Sequence, residues 1–330
     1  MKQTIVPVLV VVLGIVASAA GPETKYKAPR TENGQPDLRG VWNFTSGVPL
    51  QRPAKFADKK FFTTEEFDKQ RASLQNGLIA LTRLAPVEAV GLDWIDTKLH
   101  VEDLRTSLIT YPQNGRLPTM VEGVRRMPSI QDIIALLGDG PSPELLSLAA
   151  MLTGGKRDSY EDFPVSERCL VELQVPFVPN FGGNYVQIVQ GADHIGLTTD
   201  EFRRVITLGS NVRLGDRVRT STGVSTGRWE GETLVVETRN FNNRTPSFNG
   251  AGDSRYKVVT ERFTPTSKNT LEYTATIVDP KTFTDKIELS FPMARLDARL
   301  FESTCHEGNY SMTNILAGVR KEEEDARKSR

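Results

Sequence analysis

From residue 185 onward the apolar positions recur at every second residue, the period of a strand with one buried face. Segments 185–190, 194–199, 203–208, 224–229, 233–237, 256–263, 271–278, 283–291 and 299–302 carry this pattern. Gly231-Glu232, Ser267-Lys268-Asn269 and Asp279-Pro280-Lys281 supply turn chemistry between several of them, and one longer polar loop runs over 209–223. Short strands joined in succession predict an antiparallel meander. About eight such strands close most easily into an up-and-down barrel, which leaves no strand edge unpaired. The predicted fold is therefore mainly β: an antiparallel barrel over 161–303, with helical additions before it and a helix after it.

The flanking segments change period. Residues 38–44 predict a short strand anchored by Trp42, and 105–112 a strand ending at Pro112. Thr63-Thr64-Glu65-Glu66 has the form of a capping box, predicting a helix to about Leu74 that Asn76-Gly77 ends. Ser129 caps a helix over 130–137, stopped by Gly138. Ser142, with Pro143 in the first turn, starts another that ends at Gly154-Gly155. Both are apolar around more than one face and must bury against something. Core packing, a homodimer contact through 129–155, a lid over an apolar cavity and a membrane-touching element all satisfy that requirement. Near the C-terminus Met312, Ile315, Leu316 and Val319 form one stripe at helical spacing, with fraying expected after Lys321.

The N-terminus adds a compartment. Lys2, an apolar run over 4–16 and Ala17-Ser18-Ala19 together make a cleavable signal peptide over residues 1–19. The run is about 13 residues, short of the ~20 that a membrane anchor needs. No later run is long and apolar enough to span. The expected mature protein is soluble and periplasmic or secreted, with an N-terminal extension over 20–160, the barrel over 161–303 and a C-terminal helix and charged tail over 304–330. Lys plus Arg and Asp plus Glu number 41 each, so no net positive field draws nucleic acid or an anionic membrane. The chain has two cysteines. An even count in an oxidising compartment points to a Cys169–Cys305 disulfide. A zinc site using His306 and Glu307, or two free thiols, are the alternatives.

Five stretches occur in order: Pro36-Asp37-Leu38-Arg39-Gly40-Val41-Trp42, Ser166-Glu167-Arg168-Cys169, Gly227-Arg228-Trp229-Glu230-Gly231-Glu232-Thr233-Leu234-Val235-Val236, Glu261-Arg262-Phe263 and Cys305-His306-Glu307-Gly308-Asn309-Tyr310. Together they resemble a family of exported bacterial proteins of unknown function with a lipocalin-like β region. The resemblance covers most of the mature chain and implies export and a lipocalin- or calycin-like barrel. It brings no activity and no catalytic residues. The insert at 129–155 is longer than that family's usual connection, and 193–204 is shorter than its usual pattern. Glu201 and Arg204 keep their places in it while His194 sits elsewhere.

The disulfide would bring Glu167 and Arg168 beside His306 and Glu307. An imidazole oriented by a carboxylate, with an arginine nearby, is suited to acid–base work. The enzymatic expectation is a cofactor-independent lyase, isomerase or hydratase: His306 is the acid–base group, Glu307 and Glu167 are the carboxylates, and Arg168 or Arg204 steadies a carbonyl or carboxylate. A structural ion-pair clamp explains the same residues. Trp229, Tyr185, Tyr256 and Tyr273, with His194, are the candidate lining for a small apolar or aromatic molecule in the barrel, or else they fill its core. A non-catalytic binding protein and an interaction protein using the insert are the rival functions. No phosphate-binding loop, dinucleotide fingerprint or HExxH is present, and no cofactor or metal is expected.

Overall fold

The computed structural model describes residues 26–56, 58–84, 103–127, 132, 158–162, 168–169, 175–179, 184–199, 203–209, 215, 217–301 and 310–328. Among the described residues ten strands form one sheet: β1 (Gly40–Asn43), β2 (Ile109–Tyr111), β3 (Tyr185–Gln190), β4 (His194–Thr198), β5 (Arg203–Leu208), β6 (Val224–Glu230), β7 (Thr233–Arg239), β8 (Val258–Ser267), β9 (Thr270–Val278) and β10 (Ile287–Leu296). Nine of them close a barrel in the order β1-β3-β4-β5-β6-β7-β8-β9-β10 and back to β1. The flank of β10 away from β9 is shared: β1 pairs with Ala294, Arg295 and Leu296, and β2 with Glu288 and Leu289.

The mainly-β barrel with a helix on either side in sequence agrees with the expected class. The expected uninterrupted antiparallel meander needs one correction. β5 and β6 are parallel, with Ile206 opposite Ser225 and Leu208 opposite Gly227. A ring of nine strands cannot alternate direction all the way round, so at least one adjacent pair must run the same way. A parallel pair needs a crossover of a dozen or more residues, and the long polar stretch 209–223 provides it.

Smaller corrections have local causes. Residues 254–256 form a 3-10 turn capped by Asp253, whose side chain accepts from the Arg255 amide, so β8 starts at Val258. No strand forms over 299–301. Helix α1 (Thr64–Leu84) runs through Asn76-Gly77. Its start is the expected reciprocal cap: the Glu66 amide donates to Thr63 Oγ1 at 3.2 Å and the Thr63 amide donates to Glu66 Oε2 at 2.8 Å. Helix α2 (Tyr310–Lys328) continues past Lys321, where Lys321 pairs with Asp325 at 3.0 Å one turn on. Met312, Ile315, Leu316 and Val319 are the partly buried positions along its first turns, as their spacing predicts. Among the described residues no helix is long and apolar enough to cross a membrane. The two expected helices of 129–155 lie outside the described residues.

The inward faces of the strands meet in an aromatic core. Trp42, Phe44, Phe177, Phe263, Tyr273 and Phe291 are all fully buried. Ring centroids lie 5.3 Å apart for Phe44–Phe177, 5.8 Å for Phe177–Tyr273, 5.1 Å for Phe263–Tyr273 and 4.8 Å for Tyr273–Phe291. Phe177 is not on a strand. It belongs to residues 175–178, a non-strand piece of chain that fills the barrel from the end where β8 begins. The N-terminal arm packs at the other end. There the buried Gln190 accepts from the Leu38 amide at 2.6 Å and donates to the Pro36 carbonyl at 3.0 Å, while Arg30 and Glu232 form an ion pair.

Removing the Phe177 ring should therefore leave a cavity in the middle of the core. Phe177→Ala is expected to cost about 3–5 kcal/mol by chemical denaturation, whereas Phe301→Ala, at a position 79% exposed, should stay within about 0.5 kcal/mol of the parent.

Candidate functional site

Inside the barrel the alternation of β8 carries a charge. Val259, Glu261 and Phe263 all face inward and are fully buried. Arg204 faces inward from β5, only 4% exposed. β6 and β7 stand between β5 and β8 in the ring, so the Arg204–Glu261 contact crosses the lumen. It is bidentate: one guanidinium nitrogen donates to Glu261 Oε2 at 2.6 Å and the other to Oε1 at 2.9 Å. The planar fork of arginine matches a carboxylate in this way, and the matched geometry offsets part of the cost of removing both charges from water.

The pair also holds the inserted segment. Tyr273 donates its hydroxyl to Glu261 Oε1 at 2.9 Å and accepts from the Phe177 amide at 3.0 Å. The Arg204 guanidinium lies over the Phe177 ring, 5.5 Å from its centroid. Burial pushes the Tyr273 hydroxyl well above its ordinary pKa, and Glu261 adds to the shift, so the group stays protonated and remains a donor. Just before β8, the buried Lys257 donates to the Val175 carbonyl at 2.9 Å and sits 4.4 Å above the Phe241 ring. Burial pulls the Lys257 ammonium down to about 7, against the opposing pull of Asp279 and Glu261. Two buried side chains thus take up backbone groups of residues 175–177 that would otherwise lack partners.

The expected site residues separate in space. Arg204 is committed to Glu261 and is not open to a substrate. Tyr273 faces the lumen at the centre of the polar network, and Trp229 packs partly buried against the edge of the core. The other three expected lining residues do not reach the lumen. Tyr185 lies on the outward phase of β3, whose buried positions are Val186, Ile188 and Gln190. Tyr256 is 51% exposed on the 3-10 turn, beneath Arg255. His194 is exposed at the start of β4, its Nδ1 2.8 Å from Asp193 Oδ1, and the imidazole holds the Asp193 carboxyl below its ordinary pKa. Arg168 lies over the Tyr160 ring at 5.5 Å, and Cys169 has a left-handed backbone with φ of 55°. Glu167, Glu201, Cys305, His306 and Glu307 lie outside the described residues.

Glu261, Lys257 and Phe177 were not among the sequence candidates. Two of them had a signal: Lys257 and Glu261 fall on the same every-second-residue phase as Val259 and Phe263, so both charges had to point inward. Phe177 had none, because Val175-Pro176-Phe177-Val178-Pro179 has no periodicity. The letters of a nucleophile elbow do occur, as Gly223-Val224-Ser225-Thr226-Gly227. Ser225, however, is in the middle of β6 and its hydroxyl bonds Thr238 Oγ1 at 2.9 Å. The sharp strand-to-helix turn that exposes such a serine is missing. No family model, curated protein or solved structure matches this chain.

Two measurements address the interior charges. Glu261→Gln should cost about 3–5 kcal/mol by leaving Arg204 buried without its counter-charge, and Arg204→Met combined with Glu261→Leu should recover most of that loss. Lys257 titrates lower folded than unfolded, so the unfolded chain binds more protons between about pH 7 and its ordinary value of 10.5. Its contribution to stability should rise with pH through that window. The difference in unfolding free energy between the parent and Lys257→Met should then increase toward alkaline pH, with a slope approaching ~1.4 kcal/mol per pH unit.

Proposed function

We propose that this chain is an exported, disulfide-linked barrel protein that binds a small, partly apolar molecule at the mouth of the barrel near residues 168–178, and not inside the lumen. Phe177 and its aromatic neighbours carry the reading. A barrel of about eight strands has room either for its own side chains or for one small ligand, and here the chain's own segment takes that room. An incoming molecule meets the protein where this segment enters.

Export rests on the N-terminal signal features and on the family resemblance. The Cys169–Cys305 bridge is supported by the absence of free cysteines among the described residues and by the backbone of Cys169. A left-handed conformation costs a non-glycine residue about 1–2 kcal/mol, which an anchored side chain offsets. The bridge gathers Glu167, Arg168, His306 and Glu307 at the mouth. Since Arg204 is held by Glu261, Arg168 is the cation in this set that meets a carbonyl or carboxylate of the ligand. The same four side chains supply the acid–base version of the function, with His306 transferring the proton and Glu307 orienting it. The apolar residues 129–155 either cover this mouth or contact a second copy.

Native mass spectrometry of the protein taken from its export compartment should detect a small molecule bound one to one. Arg168→Ala and His306→Ala should release it with little change in melting temperature, and the denatured, unreduced protein should show no reactive thiol. A ligand-free protein whose melting temperature no apolar or aromatic compound raises would defeat the binding reading.

A further inference from the structure

A second feature of the surface shares no residue with the mouth cluster. Residues 119–127 cross the end of the barrel where β8 and β10 begin, as a strap bonded along both margins. On one side the Val121 amide donates to the Thr282 carbonyl at 3.0 Å and the Thr284 amide to the Thr119 carbonyl at 2.9 Å. On the other the Met127 amide donates to the Gly250 carbonyl at 2.8 Å and the Gly252 amide to the Arg125 carbonyl at 3.2 Å. The fit is close enough to require glycine twice. A Cβ on Gly250 would stand 2.1 Å from the Met127 carbonyl oxygen, and one on Gly252 2.1 Å from Thr282 Oγ1, with φ of 75° and 64°. Three loops far apart in sequence are thereby locked edge to edge.

Between them lies a depression of about 340 Å³, lined among others by Val124, Arg125, Asp253, Arg255, Tyr256 and Lys281. Each loop contributes one cation: Arg125 from the strap, Arg255 from the turn before β8, and Lys281 from the β9–β10 connection. The one carboxylate, Asp253, is engaged by Arg255 at 2.7 Å. The charged ends of Arg125 and Lys281 have no partner among the described residues. Tyr256 adds a ring that is 51% exposed, with the Arg255 guanidinium 5.8 Å from its centroid. Val124 adds an apolar wall.

We infer that this depression is a binding site for a small organic anion with a flat apolar body, of the class of the aromatic carboxylates. The volume is at the lower end of small-molecule sites, which begin near ~300 Å³. Two unpaired cations that converge from separate loops attract an anion, and an arginine suits a planar carboxylate through its paired donors. The exposed Tyr256 ring gives a flat ligand a face to stack on. An inorganic anion would use the cations and leave the ring idle, while a neutral aromatic would leave both cations unsatisfied. The pre-bonded loops fix the backbone from which the three cations extend, so ordering on binding falls on the Arg125 and Lys281 side chains alone.

The test is calorimetric titration of the full mature chain with benzoate, benzamide, acetate and sulfate in parallel. Benzoate should bind saturably, and acetate, sulfate and benzamide about tenfold more weakly or worse. Arg125→Gln with Lys281→Gln should weaken benzoate about tenfold, and raised salt should weaken it further. Tyr256→Ala should reduce benzoate binding and leave acetate unchanged. Arg125, Lys281 and Tyr256 are exposed, and an unchanged melting temperature in each variant verifies that it folds. Sulfate binding as tightly as benzoate would mean a plain surface charge patch and would overturn the inference. Absence of saturable benzoate binding, or indifference to the Arg125 and Lys281 changes, would do the same. His306→Ala, which disables the proposed mouth site, should leave benzoate binding intact, so the two sites fail separately.

Discussion

An ion pair spans the inside of this barrel, and the rest of the interior is arranged around it. Arg204 and Glu261 come from strands separated by two others in the ring, so their contact ties opposite walls together. Tyr273 passes the same carboxylate's hold on to the Phe177 backbone, and the guanidinium covers the Phe177 ring. A purely aliphatic lumen could be filled in many ways, with side chains sliding past one another. Charges with directional bonds allow one arrangement of the inserted segment. Specificity of packing is a recognised use of buried polar groups, and stability alone is not, since apolar replacements of similar volume are often at least as stable.

This arrangement bears on what the barrel is for. Open-mouthed barrels of similar size keep the lumen for a ligand. Here the groups that would orient a ligand, a guanidinium, a carboxylate, a phenol and an ammonium, are engaged with one another and with residues 175–177, and among the described residues Arg204 Nε is left buried without a partner. The cations Arg125, Arg255 and Lys281, which line the depression beside the strap, lie where side chains reach solvent.

Much of the architecture was legible because strand periodicity is a local signal. The alternation placed β3 and β5 at their observed limits and most other strands within a few residues. The parallel β5–β6 pair was not legible, because strand direction depends on how the ring closes and leaves no trace in either strand. The polar length of 209–223 was its only mark. The start of α1 could be read from Thr63 and Glu66, yet its end could not: Asn76-Gly77 is a stop signal that the helix runs through, a weak local preference overridden by its surroundings. The interior site was half visible. Arg204 was singled out, but its partner Glu261 sits 57 positions further along, and only the inward phase of β8 could have linked them. Tyr185 and Tyr256 show the converse, since an aromatic on or beside a strand faces inward only if its phase matches the core.

The shared flank of β10 has a consequence for how the chain acquires its structure. Val41, near the start, pairs with Leu296, near the end, and β2 docks on the same strand. Until β10 has been delivered, β1 and β9 both present unpaired edges, and no local rearrangement can hide them. Contacts of such high sequence separation form slowly. A ring left incomplete in this way would be open to pairing with neighbouring molecules. A protein truncated just before Ile287 would be held in that state permanently, an open sheet with two sticky margins instead of a closed ring.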